Sequence, residues 1–185
     1  MAIFEKSFIL LMKLEFNKPS NFLHKNKGED GYTVGGIYKT AHTNWYGWGI
    51  VSASVHRHDN DIKKASTELY NSQPFTRLVA VFYQENFWDK MKLDQINDQN
   101  TADEIFLFGV NSGKKNAIRK AQKIVGAEED GIIGLQTITA LNNFDAEIFS
   151  MKFDELEKQF YASIIAKKPS FSIFKEGWNN RAEYV

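Results

Sequence analysis

The chain has 185 residues, 43% of them hydrophobic, which is enough to bury a core of its own. Its 23 Lys and Arg balance 23 Asp and Glu, so no global field marks nucleic acid or an anionic membrane as the partner. With no cysteine, disulfide stapling, thiolate zinc sites and cysteine nucleophiles are excluded.

The first apolar run, Phe8-Ile9-Leu10-Leu11-Met12, is broken by Lys13 and followed by no small-residue cleavage site, which is not the pattern of a signal peptide. No stretch reaches the roughly 20 apolar residues of a membrane span. The expectation is a chain made in the cytoplasm, without membrane insertion, that reaches any external target by export. Phe4, Phe8 and Leu11 recur at helical spacing, predicting a helix from Phe4 to Glu15 that Pro19 prevents from continuing. Glu15 is the next position on that stripe, so its carboxyl is expected on the apolar side of the last turn. A carboxyl held among apolar groups keeps its proton more readily, as a general acid must. Periodicity alone favours a solvent-facing Glu15, or one paired with a lysine, so the acid role needs support from elsewhere in the chain.

Residues 17–38 are rich in Gly, Asn and Lys, and the run from Gly28 to Tyr38 reads as a tight hairpin or glycine-rich turn. Asp30-Gly31 is the natural reversal there and Thr33 a strand residue. Tyr38, His42, Trp45, Tyr46 and Trp48 crowd behind it. Such rings either stack on the apolar faces of sugars or fill a core. His56, His58, Asp59 and Asp61 follow, without the spacing of two ligands on one helical face, so a solvated loop is expected in place of a zinc site.

Further on, Thr101 and Glu104 form a capping-box pattern ahead of Phe106-Leu107-Phe108-Gly109-Val110-Asn111-Ser112-Gly113. Ala117 to Gln122 leads to a Gly126 stop and then to Asp130-Gly131-Ile132-Ile133-Gly134-Leu135-Gln136-Thr137, a glycine turn opening another helix. Phe149, Phe153, Leu156, Phe160 and Ile164 recur at intervals of three and four, predicting a core helix.

Taken together these strings resemble the phage-type lysozyme-like muramidases of glycoside hydrolase family 108. A glutamate closing the first helix, an acidic loop residue and a Gly-x-Thr-x-x-Gly-Ile segment match Glu15, Glu29, and Gly31, Thr33, Gly36 and Ile37. The Val-Asn-Ser-Gly helix end, the Tyr83 to Trp88 stretch and the closing Gly177-Trp178-Asn179-Asn180-Arg181 are similar to the same family. Gln122 with Asp130-Gly131, Gly134 and Thr137 resembles the pattern of peptidoglycan-binding helical modules. The chain has Glu15-Phe16-Asn17-Lys18 where family members carry Glu-Gly-Gly-Tyr, and its loop to the threonine is longer.

The resemblance implies a mainly α, lysozyme-like fold with a short β-hairpin beside an active-site cleft. Residues 1–104 would form the muramidase region and 105–185 a peptidoglycan-binding-like helical region, packed as one continuous body without a linker. It implies a peptidoglycan hydrolase that cuts the β-1,4 glycan strand, with Glu15 as acid, Glu29 as second carboxylate and Thr33 beside it. Asp30 competes with Glu29 for the second role. Tyr38, Trp45, Trp48 and Asn111 would contact the sugar, and no metal or organic cofactor is needed. The partner would be peptidoglycan, reached through a holin or a secretion system. A non-catalytic wall-binding or secretion-associated protein that keeps the fold is the alternative, motivated by the altered residues after Glu15.

Overall fold

The structure is a computed structural model that describes residues 1–16, 18–26 and 28–182, with the side chains of residues 174 and 179–182 outside that description. Asn17, in the altered segment after Glu15, is therefore outside it, as are the side chains of Asn179, Asn180 and Arg181 in the closing motif. The chain divides into two compact units, Phe8–Gln84, and Met1–Ser7 together with Glu85–Val185.

Helix α1 covers Phe4–Glu15, the span its periodicity predicts. Within Phe8–Gln84 it is followed by a 3-10 turn at Pro19–Asn21 and by three short strands, β1 (Leu23–His24), β2 (Thr33–Val34) and β3 (Ile37–Tyr38). They form an antiparallel sheet in the order β1-β2-β3, with Leu23 opposite Val34, Thr33 opposite Tyr38, and Val34 opposite Ile37. The β2–β3 reversal falls at Gly35-Gly36, where both residues have positive φ, +52° and +76°. Two consecutive left-handed positions make the hairpin turn whose twist matches its strands, and glycine adopts them without cost. Asp30-Gly31, the expected reversal, lies instead in the longer β1–β2 connection.

Three helices complete this unit: α2 (Gly47–Arg57), α3 (Ile62–Asn71) and α4 (Gln73–Tyr83). Asp61 caps α3 by accepting from the Lys64 amide, and Ser72 caps α4 by accepting from Phe75, with Pro74 in the first turn where its missing N–H costs nothing. Phe22 is fully buried at the centre, with edge-on contacts to Phe16, Tyr70 and Phe75 at 5.2, 5.5 and 6.3 Å between ring centroids. Ser66 fastens α3 to the start of the sheet, donating to the Pro19 carbonyl at 2.6 Å and accepting from the Leu23 amide at 2.9 Å.

The other unit is built on α5 (Gln99–Ser112), buried on every side from Thr101 to Gly109. A helix that is buried all round is the axis of its domain. Its N-cap is Asp98, which accepts from the Thr101 amide at 2.8 Å, so the expected Thr101/Glu104 capping box is not formed and both residues lie inside the helix. Against α5 pack α6 (Lys114–Val125) and α8 (Ala146–Lys167), with α7 (Leu135–Asn143) on α6 and α9 (Lys175–Ala182) on α8. The fully buried stripe of α8 runs Phe149, Phe153, Glu157 and Tyr161. It keeps a strict four-residue step, leaving the expected Leu156, Phe160 and Ile164 at its half-buried edge.

The fold is thus mainly α with one small antiparallel sheet, the lysozyme-like architecture expected. Among the described residues no helix is long and apolar enough to cross a membrane.

Candidate active site

Glu15 is the last residue of α1 and is exposed. The position on the apolar side that its spacing suggested is taken by Phe16, one residue further on, which is 7% exposed. Glu15 is nevertheless not remote from the core. Its carboxylate acts on Tyr83, a fully buried residue whose hydroxyl is held protonated far above the usual tyrosine range, first by burial and then by the Glu15 charge.

Tyr83 ends α4 and donates its hydroxyl to the Gly35 carbonyl at 2.9 Å. Gly36 is packed so closely on that hydroxyl that any Cβ there would collide with it. The end of α1, the end of α4 and the β2–β3 turn therefore meet around one phenol. Thr33 lies two residues before the turn, half-buried, with Tyr38 directly opposite on β3. Both expected residues stand on this hairpin.

Glu29 sits in the β1–β2 connection, half-buried, and its carboxylate accepts from Asn26, at 2.9 Å from the side-chain amide and 3.3 Å from the backbone amide. Its own amide returns to the Asn26 carbonyl at 3.1 Å. This ring of bonds fixes the carboxylate within its loop. Asp30 is exposed.

The tryptophans are placed otherwise than as sugar platforms. Trp45 and Trp48 are each 8% exposed and pack edge-on against one another at 5.2 Å, while Trp45 also meets Phe75 and Phe82. Trp48 donates its indole N–H to the His42 carbonyl at 2.7 Å. Their rings form core, and aromatic crowding in the sequence could not distinguish the two uses. Tyr46, at 63%, is exposed, as is His42. Asn111 belongs to the other unit, where its side chain donates to the buried Tyr161 hydroxyl at 2.6 Å and so ties α5 to α8. Near the two histidines, His58 and Arg57 both engage Glu68, His58 at 2.6 Å. The sequence marks Tyr83 only as a member of the Tyr83 to Trp88 stretch. Its closeness to Glu15 and Gly35 depends on tertiary structure.

In the α6–α7 connection the glycine-rich motif is internally satisfied. The Gln122 side-chain amide is directed at Asp130 Oδ1 (2.7 Å), the Ile132 carbonyl (3.0 Å) and Thr137 Oγ1 (3.2 Å), and its oxygen accepts from the Gly131 amide (2.9 Å). Asp130 also accepts from the Ile132 amide at 2.8 Å, and these bonds hold its carboxyl below the ordinary range. The motif is a clasp that shapes its own loop.

A small sheet whose turn is pinned against the ends of two helices defines a mainly α, lysozyme-like protein. Residues 20–113 match the family model described as Glycosyl hydrolase 108, and the chain belongs to that family. Residues 116–183 match a second model, Predicted Peptidoglycan domain. The first match includes Glu29 and Thr33 and begins after Glu15. Among solved structures, the chain is similar to "Structure of Brucella abortus SagA", with 20% identity, a TM-score of 0.63, and coverage of 98% of this chain and 90% of that one. No curated protein matches the chain. Its function is thus tied to peptidoglycan, and its class is that of a glycoside hydrolase.

Proposed function

We propose that the chain is an N-acetylmuramidase that cuts the β-1,4 glycan strand of peptidoglycan, with Glu15 as general acid. The observation that supports this reading is the bond from Tyr83 at the end of α4 to the β2–β3 turn, with Glu15 at the end of α1 within electrostatic reach of that buried hydroxyl, in a chain of the glycosyl hydrolase 108 family. Protonated Glu15 gives its proton to the departing glycosidic oxygen as the sugar gains oxocarbenium character. Glu29, ionised, stabilises that charge and, if configuration inverts, takes the proton of the attacking water that Thr33 helps to hold; if configuration is retained the second carboxylate acts differently, and product stereochemistry separates the two. A bound glycan covers the exposed Glu15 and keeps solvent from it during transfer. The site of action is the bacterial wall, reached through a holin or secretion system, in lysis or in secretion.

Asn26 already holds Glu29 in its loop, so this carboxylate is a fixed group and Asp30 an exposed one. Glu29→Gln is expected to lower the release of reducing ends from purified peptidoglycan more than Asp30→Asn does. An equal or larger loss at Asp30 would transfer the second role to it.

A second reading, wall binding without hydrolysis, is favoured by one observation, the exposure of Glu15. It predicts that the wild-type chain pellets with sacculi and releases no reducing ends. The muramidase reading predicts pelleting together with release of reducing ends.

A further inference from the structure

Because Gln122, Asp130 and Thr137 are spent on one another, the peptidoglycan-domain segment needs another surface for its ligand. One exists between α6 and α8. An open cavity of about 340 Å³ lies there, with Arg119, Lys120 and Lys123 on one side facing Gln159, Phe160 and Ser163 on the other. All its lining residues, from Asn116 to Ser163, fall within the segment 116–183.

The charge arrangement is unusual for a helix face. Arg119 and Lys123 stand four apart and Lys120 and Lys123 three apart, spacings at which like charges repel and weaken a helix. Three cations meet one lining carboxylate, Glu129, in a chain whose overall charge is zero. Neither Arg119 nor Lys123 has an ion-pair partner among the described residues. Asp130 lies close enough to Arg119 to feel its charge, but its oxygens are held by Gln122 and the Ile132 amide. Lys120 is fixed as part of the wall, donating to the Leu156 carbonyl at 2.9 Å with its ammonium 5.3 Å from the centroid of Phe160. Burial lowers its pKa and Lys123 adds to that, while Glu157 beneath opposes both.

The opposite wall offers acceptors. The Gln159 amide nitrogen donates to Glu155 at 2.9 Å, so its oxygen can still accept, and the Ser163 hydroxyl donates to the Phe160 carbonyl at 2.7 Å, leaving its lone pairs. A ligand that fits carries anions for one wall and N–H donors for the other. In peptidoglycan, the peptide stem has both.

We propose that the α6–α8 groove binds the peptide stem of peptidoglycan, with stem carboxylates between Arg119 and Lys123 and stem amides toward Gln159 and Ser163. This rests on the reading of the chain as a wall-acting protein. A charge-assisted contact of this kind weakens as salt rises.

The test is pelleting of the full chain with sacculi freed of attached phosphate polymers, either with stems intact or with stems removed by an amidase. Wild type is expected to bind intact sacculi, to lose roughly tenfold or more in affinity on the stripped ones, and to be competed by free stem tripeptide. Arg119→Gln/Lys123→Gln should lose a similar factor on intact sacculi, whereas Arg119→Lys/Lys123→Arg should retain binding. Both positions are exposed, so an unchanged melting temperature checks the fold. Equal binding of the Gln double variant and wild type to intact sacculi, or equal binding of wild type to intact and stripped sacculi, overturns the groove assignment and leaves wall binding standing. Binding of wild type to neither preparation overturns both.

Discussion

The Tyr83 hydroxyl donates to the Gly35 carbonyl at 2.9 Å across 48 residues of sequence, and this bond locks the β2–β3 turn to the end of α4. Tyr83 is buried and Glu15 lies within electrostatic reach of it, so the phenol that fixes the turn also feels the charge of the candidate acid. A buried carbonyl deprived of its donor costs about 1–3 kcal/mol. Tyr83→Phe is therefore expected to lower unfolding stability by that amount and to reduce reducing-end release. Gly36→Ala should be at least as damaging, since its Cβ meets the same hydroxyl at a positive φ. Adding Tyr83→Phe to Gly36→Ala should restore part of the loss, because the colliding oxygen is gone. Denaturant unfolding of the two single variants and the double variant measures this, and simple additivity of the losses would count against the contact.

The clasp in the α6–α7 connection makes a separate prediction. Gln122 is 1% exposed, shares its two amide hydrogens among three acceptors and accepts from the Gly131 amide. Gln122→Ala is expected to cost about 2 kcal/mol or more, given roughly 1 kcal/mol per hydrogen bond and a larger penalty for buried groups left unpaired. Limited proteolysis should then cut between Glu128 and Gly134, where wild type resists. Protection unchanged in the variant would show that the loop is held by something else.

Glu104 supplies a pH dependence. Burial within α5 pushes its carboxyl up to about 9, against the Ser150 hydrogen bond and with added repulsion from Asp154, Glu157 and Asp103. An unfolded glutamic acid titrates near 4.5. Between those values the folded chain holds a proton that the unfolded chain has released, so stability is fully present below the lower one and declines as pH rises toward the upper one. Asp103, also raised chiefly by burial, acts in the same direction. The denaturation midpoint of wild type should fall between about pH 5 and about pH 8 more steeply than that of Glu104→Gln. Parallel slopes for the two proteins would refute the assignment to Glu104.

Helices with a regular apolar step were legible in the sequence: α1 from Phe4, Phe8 and Leu11, and α8 from its phenylalanines. What periodicity could not settle was the last turn. Glu15 continues the stripe on paper, but at a helix end the chain is leaving its axis, and Phe16 takes the buried place. Caps were ambiguous for a similar reason, because Asp98 followed by Thr101 and Thr101 followed by Glu104 offer the same spacing three residues apart. The first is the one formed. Crowding leaves Trp45 and Trp48 open as sugar contacts or as core, because core rings and platform rings share one composition and only packing separates them. The glycine motif at Asp130-Gly131 was legible as a motif. Its inward-turned hydrogen bonds were not, and neither was the Tyr83 bond to Gly35, since both are tertiary.

The central claim is that Glu15 delivers the proton, and the most direct test is the release of reducing ends from purified peptidoglycan by wild type and by Glu15→Gln. Because Glu15 is exposed, the substitution should leave the melting temperature unchanged. Wild type should release reducing ends and the variant about 10²–10⁴-fold fewer, the usual contribution of a positioned general acid. A folded Glu15→Gln variant that releases reducing ends at the wild-type rate would contradict that claim.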